Sequence, residues 1–361
     1  MKHLSPQGTP DISAGTSRTA PKGHVLLVSP LTFSYHEVIC AQLRDMGYGV
    51  TWWNERARSA TWYKLALRLL PGPTRSWSAR HFLRLLHALP KNTITQVLVI
   101  KGEGLSAEVC TAMRKVLGEV PMGFYLWDGL ENAKGVSKIV DGFDCAASFD
   151  PVDAAKLGWR HRPLFSRFDA ASALPEAGHD FDWCFIGTLH SDRHQVVHRL
   201  RLASGQQSRS FVFGYSPSWL MLWVRHLADW TLWRASAGTL STVPMPAIEV
   251  QSIVARSRVV LDVEHPRQRG LTMRTIETLM AGHKLATTNP YIVKSDLYHP
   301  SRVCVISRQN PSIPASFLEQ PFAPLTAALR DRYTCEGWAQ ELISQAKEAR
   351  QSRSRLPLAP P

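Results

Sequence analysis

The chain has little that would anchor, staple or repeat it. No uninterrupted apolar stretch among its 361 residues is long enough to cross a bilayer, so any membrane contact is expected to be peripheral. Residues 1–23 lack the apolar segment of a secretory signal; rich in Ser, Thr, Pro and Gly, they read as a flexible tail. The six cysteines (Cys40, Cys110, Cys145, Cys184, Cys304 and Cys335) form no CxxC pair, and several lie in apolar runs, where a free thiol packs as a small hydrophobe. That usage suits a reducing cytoplasm better than a disulfide framework. No repeat of solenoid period is present. Acidic side chains are in deficit, 29 against 42 Lys and Arg, for a formal net charge of +13. The excess predicts attraction to phosphate groups, nucleic acid or an acidic bilayer surface. What remains is a globular composition, 44% hydrophobic and 20% charged, in a chain long enough for two cores.

From residue 24 short apolar runs alternate with helical periodicity. Residues 24–29 (HVLLVS) read as a strand buried on both faces, 35–46 as a helix stopped by Gly47, and 49–53 as the next strand. Strands follow at 96–101, 122–126 and 145–149, with a helix around Val109, Met113 and Val116 and another over 132–140. Residues 167–179 carry no period and mark a domain boundary. A second series has strands at 181–186, 210–213, 258–263 and 284–288. Its helices fall at 191–203 with Ser191 as N-cap, at 218–234, and at 271–281 with Gly282 as the stop; 325–333 and 335–349 close the chain. Such alternation implies an α/β protein of two Rossmann-like, doubly wound parallel-sheet domains facing a cleft, with ligands beyond the carboxyl ends of the strands.

Loops leaving strands are therefore where chemistry is sought. Residues 264–289 (EHPRQRGLTMRTIETLMAGHKLATTN) leave a strand, pass an Arg-containing turn with Gly270 and enter a helix. Amides at that helix start offer an anion site, and Gly270 allows close approach of a phosphate. Arg267 and Arg269 could add forked hydrogen bonds to a diphosphate, and Glu277 could accept from ribose hydroxyls. The spacing fits equally a plain surface ion pair between Arg274 and Glu277.

This segment resembles the nucleotide-sugar motif of GT-B fold glycosyltransferases, in particular bacterial enzymes of capsule and lipopolysaccharide biosynthesis, whose pattern runs close to QxGLTMRTxExLxxGxKLxTTN. Gln268, Gly270, Leu271, Thr272, Met273, Arg274, Thr275, Glu277, Leu279, Gly282, Lys284, Leu285, Thr287, Thr288 and Asn289 match it. The similarity extends over about residues 24–345. By it, Glu277 corresponds to the ribose-binding glutamate that ends the Glu-x7-Glu pattern of retaining members. The first glutamate is replaced here by Arg269, which leaves the stereochemical outcome open. A second matching stretch, 184–193 (CFIGTLHSDR), has a strand ending in Gly187; the resemblance makes Gly187, His190 and Arg193 donor-binding candidates. By residue type alone that stretch is an ordinary strand-to-helix turn in which the glycine supplies a positive φ.

In the first half, 124–132 (FYLWDGLEN) places Asp128 just beyond a strand, as general base for an acceptor hydroxyl with Asn132 beside it, or as the cap of the following helix. His36 is the second choice of base, and Lys101 with Gly102 leaves another strand end as a contact for the acceptor or a phosphate. Residues 148–153 (SFDPVD) also resemble the family, and Asp150 before Pro151 reads as a helix-initiating turn. Asp180 and Asp182 spell a DxD, the metal-holding signature of other glycosyltransferases, but precede a strand instead of following one and are read as chance. An insertion at 56–89, broken at Pro71-Gly72-Pro73, carries an apolar face (Phe82, Leu85, Leu86, Leu89) with Trp62, Tyr63 and Trp77 nearby, suited to a headgroup layer or to packing on the sheet. Trp219, Trp223, Trp230 and Trp233 share one side of a helix; interfacial tryptophans would explain the stripe, and packing in the core or walling the cleft explains it with fewer assumptions and is the expectation.

The resulting expectation is a tail over 1–23, an acceptor-binding domain over 24–168, a nucleotide-sugar-binding domain over 180–325, closing helices over 326–349 and a basic tail over 350–361. The expected activity is metal- and cofactor-independent transfer from a nucleotide-sugar donor to a cell-surface polysaccharide, lipopolysaccharide or lipid-linked acceptor. Expected partners are that donor, a glycan or lipid-linked acceptor and an acidic membrane surface, not nucleic acid; the expected place is the cytoplasm, extending to the inner face of the membrane. A sugar-nucleotide epimerase on the same fold is the alternative, followed by a non-catalytic anion- or nucleic-acid-binding module.

Overall fold

The computed structural model describes residues 21–32, 34–58, 63, 69–133, 135–167, 178–228, 231–232 and 239–355. Residues 1–20, Trp62, Trp230, Trp233, most of the expected boundary segment and 356–361 lie outside the described residues. The chain divides into two compact units, Met1–Phe149 with Asp153–Arg162 and Cys335–Pro361, and Asp150–Val152 with Pro163–Thr334.

The first unit is a six-stranded sheet, every pairing parallel: β1 (His24–Ser29), β2 (Gly49–Asn54), β3 (Gln96–Ile100), β4 (Met122–Leu126), β5 (Cys145–Ser148) and β6 (Arg160–His161), in the order β2-β1-β3-β4-β5-β6. The continuous apolar runs of β1, β3 and β4 are buried because helices cover both faces. On one side α1 (Tyr35–Asp45) closes at Gly47, in the left-handed region at φ 90°. The insertion breaks next to the Pro71-Gly72-Pro73 segment: Leu69 is helical, Leu70 is not, and α2 (Pro71–Ala88) starts on Pro71, because a proline at the first helical position lacks only an amide that would go unpaired anyway. Its Phe82 and Leu86, with Leu85 and Leu89 against them, belong to the hydrophobic core, so that apolar face packs on the sheet.

The helix expected at 132–140 is instead three 3-10 turns, Leu130–Asn132, Val136–Lys138 and Val140–Gly142. Gly135, at φ 90°, interrupts any continuous helix there. The expected closing segment divides: α10 (Ala327–Tyr333) stays with the second unit, whereas α11 (Cys335–Arg355) lies on β4, β5 and α1 of the first. Trp338 of α11 is wholly buried edge-on to Tyr125.

The second unit is also a parallel six-stranded sheet, β7 (Phe181–Thr188), β8 (Ser210–Tyr215), β9 (Leu240–Ser241), β10 (Ser257–Asp262), β11 (Lys284–Thr287) and β12 (Val303–Val305), in the order β12-β11-β10-β7-β8-β9. Alternate residues of β7 and β10 serve opposite layers. Trp183, Phe185, Val259 and Leu261 meet Val196, Val197 and Leu200 of α5 (Arg193–Ala203); Cys184 and Val260 meet Val250, Ile253 and Val254 of α7 (Ala247–Ala255). The chain winds outward from β7 to β9, then returns to β10 on the other flank. The switch point thus lies between β7 and β10, where open parallel sheets receive ligands.

The helix α6 (Trp219–Ala228) corrects one expectation. Trp219 is 73% exposed and Leu220, Trp223, Val224 and Leu227 are also exposed, so these side chains do not pack in a core. Among the described residues no helix is long and apolar enough to cross a membrane.

Candidate functional site

At the switch point of the second unit, β10 ends in Asp262 and the chain runs through residues 263–272 into α8 (Met273–Met280). Thr272 caps α8, its hydroxyl accepting from the Thr275 amide at 3.0 Å. Both Thr272 and Thr275 hydroxyls donate to Asp262 Oδ2, at 2.7 and 2.8 Å, which ties the helix start to the strand end.

The turn between them is clamped from both sides. Amide groups of Asn289 and Gln268 donate to the Arg269 and Gly270 carbonyls at 3.1–3.3 Å. The buried Asp150 carboxylate accepts from the backbone amides of Arg269 and Gly270 at 2.9 and 3.0 Å. Asp150 also accepts from the Val152 amide at 2.9 Å, as its reading as a helix-initiating residue requires. Asp150 thus takes the amides of Arg269 and Gly270 and Thr272 takes that of Thr275, so of the helix start expected to offer an anion site the amides of Met273 and Arg274 make no hydrogen bond among the described residues.

Arg193 crosses the switch point. Its Nε donates to the carbonyl of Val263 and its Nη1 to that of Thr188 at 3.1 Å, while Nη2 makes no hydrogen bond among the described residues. Gly187 lies inside β7, one residue earlier than the strand's end, and does not have a positive φ. A Cβ there would meet the Phe185 ring at 3.0 Å and Arg193 Nη1 at 3.7 Å, so the glycine keeps room for the guanidinium. Ser191 is not the N-cap: it sits at φ 48°, and Asp192 precedes the helix. Arg308, just beyond β12, donates to Asp192 Oδ1 and to Glu264 Oε1, each at 2.7 Å. Thr288 completes the group with a short hydrogen bond to Glu264 Oε2.

His190 stacks 5.7 Å from His265 and shares a 2.8 Å hydrogen bond with Ser191. Burial, then the neighbouring Arg193 cation, push its pKa down to about 3, so the ring is neutral at physiological pH. Arg269 donates to the Tyr291 hydroxyl at 3.3 Å and to the Arg267 carbonyl at 3.4 Å. Leu271 is buried beside the turn.

Glu277 does not pair with Arg274 at the surface. It is only 5% exposed, and the Arg167 guanidinium lies 2.9 Å from its Oε1. Lys284, a match to the resembled pattern, is structural: its ammonium donates to the carbonyls of Phe317, Leu318 and Gln320 at 2.6–2.9 Å. Asp180 pairs with Arg256 at 2.7 Å and Asp182 accepts from the Arg209 amide at 2.9 Å, at the opposite end of the sheet. Among the described residues no group of three or more His, Cys, Asp or Glu side chains could hold a metal ion.

In the first unit the carboxyl ends of β2, β3 and β4 carry a second charged network. Lys101 and Gly102 follow β3 in two successive left-handed conformations, φ 66° and 64°. For a lysine this is uncommon and is held by its surroundings. Its ammonium reaches Asp128 Oδ2 at 2.9 Å, and Asp128 Oδ1 accepts from the Gly129 amide at 2.9 Å and from Asn132 Nδ2 at 3.1 Å. Burial raises the Asp128 pKa, but Lys101, Asn132 and the Gly129 amide outweigh it and hold the group below its usual range. His36 stands apart, buried 4.5 Å from the Trp52 ring with its pKa lowered by burial, and makes no hydrogen bond to Asp128, Lys101 or Asn132.

Residues missed in the sequence are Arg167, Asp192, Asp262, Glu264 and Arg308 around the second site, and Glu55, Arg56 and Glu103 around the first; Asp150 reads there as a turn residue, without its hold on the Arg269 and Gly270 amides. Asp262 and Glu264 stood beside the recognised motif and could have been found as the polar end of a buried strand. Arg308 and Arg167 could not, because their partners are distant in sequence.

No protein-family model and no curated protein matches the chain. Solved structures do match it. A glycosyltransferase involved in avilamycin A biosynthesis superposes with a TM-score of 0.56 at 12% identity, over 91% of this chain and 98% of that one. The UDP-GlcNAc 2-epimerase from Neisseria meningitidis, bound to UDP-GlcNAc, gives 0.51 at 10% identity, over 90% and 100%. The Anabaena protein HepE in complex with UDP and glucose gives 0.50 at 10% identity, over 92% and 100%. The chain therefore has the GT-B fold of two Rossmann-like units, as its two parallel sheets and near-complete coverage require.

Proposed function

We propose that the chain is a glycosyltransferase whose second unit binds a nucleotide-sugar donor and whose first unit binds a glycan or lipid-linked acceptor. The observation that carries the reading is the placement of Arg193, Arg308 and the start of α8 together at the β7/β10 switch point. Guanidinium groups and helix amides there suit a diphosphate whose negative charge grows as the sugar departs. In this reading Arg193 Nη2, with Arg267 and Arg269, stabilises the leaving diphosphate in place of a metal. The neutral His190 donates a hydrogen bond, and Glu277 meets the ribose. Asp128 takes the proton of the acceptor hydroxyl, positioned by Asn132 and Lys101. The resemblance of residues 268–289 to the bacterial capsule and lipopolysaccharide pattern supports a cell-envelope acceptor. The exposed Trp219 and Trp223 face, on a chain of formal charge +13, supports contact with an acidic membrane surface.

Calorimetry with UDP- and GDP-sugars in EDTA tests the donor reading. Glu277→Ala is expected to weaken the bound nucleotide by about ten- to a hundredfold, the worth of a hydrogen bond to a charged group, with Glu277→Gln as the better-folded companion. Unchanged affinity in both variants would remove Glu277 from the site. The epimerase, which shares the fold, needs no acceptor; sugar epimerisation of the donor alone would select it over transfer.

A further inference from the structure

Glu55, the first residue after β2, is 0% exposed. Its Oε2 accepts from the Glu103 amide at 2.9 Å, but its Oε1 has no hydrogen-bond donor, and the Arg56 guanidinium approaches that oxygen only to 3.6 Å. Arg56 is drawn instead to Glu103, at 2.5 Å, and Glu103 Oε2 lies 3.9 Å from the Lys101 ammonium. The turn is fitted closely against this carboxylate's backbone: a Cβ at Gly104 would fall 2.2 Å from the Glu55 carbonyl oxygen. Glu55, Arg56, Glu103, Lys101 and Asp128 thus form one chain of charges along the carboxyl ends of three strands. Counting Arg56 and Lys101 against Glu103 and Asp128, the set is neutral when Glu55 carries a proton and has one excess negative charge when it does not.

An ionised carboxylate in this position costs desolvation that one amide and a distant guanidinium do not offset. We propose that Glu55 is a positioning residue that holds one exchangeable proton against the Lys101–Glu103 turn, and that loss of this proton draws Lys101 from Asp128 and makes Asp128 the stronger base. The proposal rests on the reading of Asp128 as the group that accepts the acceptor's proton. Burial pushes the Glu55 pKa up to about 7, against the pull of Lys101, then Arg56, and the Glu103 amide, so the proton is exchanged within the physiological range. Below that pH Lys101 serves Asp128 and Glu103 alone. Above it a third carboxylate competes for the same ammonium, and the proton affinity of Asp128 rises as its hold on Lys101 is shared. A carboxylate held below its normal range is a weak base, and this sharing relieves that weakness when Glu55 is ionised.

The test is a carbon-13 carboxyl titration of the full chain, with Glu55→Gln and Asp128→Asn variants to assign the signals. The expected result is a Glu55 midpoint near 7, an inflection of the Asp128 carboxyl at that same pH, and loss of the inflection in Glu55→Gln. A Glu55 midpoint in the ordinary glutamate range, or an Asp128 signal indifferent to Glu55, would overturn the proposal. In parallel, UDP release from UDP-glucose is expected to rise about three- to tenfold in kcat through this midpoint, with KM little changed and the rise absent in Glu55→Gln. Wild-type release from Asp128→Asn would instead overturn Asp128 as base, and with it the consequence for the rate, while the titration would still report the proton on Glu55.

Discussion

Arg193→Ala is expected to lower affinity for the donor nucleotide by about a hundredfold and to destabilise the second unit by about 3 kcal/mol. Two carbonyls, from Val263 and Thr188, fix its guanidinium across the sheet's switch point. Alanine abolishes both bonds and removes the cation that acts on Asp262 and Glu264. Arg308 still pairs with Glu264, so the unit should fold. Arg193→Lys keeps the charge but not the fork that reaches two carbonyls and a phosphate together, and is expected to recover only part of the loss. Calorimetry at two salt concentrations separates this from general charge loss, with Asp182→Asn at the far end of the sheet as control. Equal affinities in wild type and Arg193→Ala would show that the nucleotide binds elsewhere.

Glu55→Gln is expected to change how stability depends on pH. The folded pKa of Glu55 is raised from 4.5 to about 7. Between those values the unfolded chain has released the proton and the folded chain keeps it, so stability falls as pH rises through this window and levels off above it. A shift of that size corresponds to roughly 3 kcal/mol across the window. The glutamine variant carries no such proton. Urea unfolding of the first unit should therefore show the variant gaining on wild type from pH 5 to pH 8. A parallel pair of curves would place the Glu55 pKa near its ordinary value.

Strands were legible wherever a short apolar run is buried on both faces: β1 and β4 fall at 24–29 and 122–126 as read. The two-residue strands β6 and β9 carry no such signal, and the break at Gly135 is a conformational preference hidden inside a helical pattern. The break at Pro71-Gly72-Pro73 was legible, but not that these residues form the first turn of the helix that follows, because a proline that stops one helix begins another equally well. The tryptophans of α6 are expected in a core or a cleft wall because they share one helix side, but that spacing does not record what lies beside the helix, and Trp219 and Trp223 are exposed. At the candidate sites, contiguous residues such as those at 267–272 were found together, whereas pairs such as Asp150 with Gly270, or Arg193 with Val263, exist only once the strands are side by side. Asp150 shows the limit most clearly. Its cap on Val152 is local and readable; its grip on the Gly270 turn is not.

Hydrogen exchange with and without saturating UDP or GDP nucleotide, in EDTA, asks most directly whether the switch point of the second sheet grips a nucleoside diphosphate. The expected result is new protection in the segments 187–193 and 271–277, with little change at Arg269 and Gly270, whose amides Asp150 already holds. Protection confined to other segments, or none from any nucleotide, would contradict it.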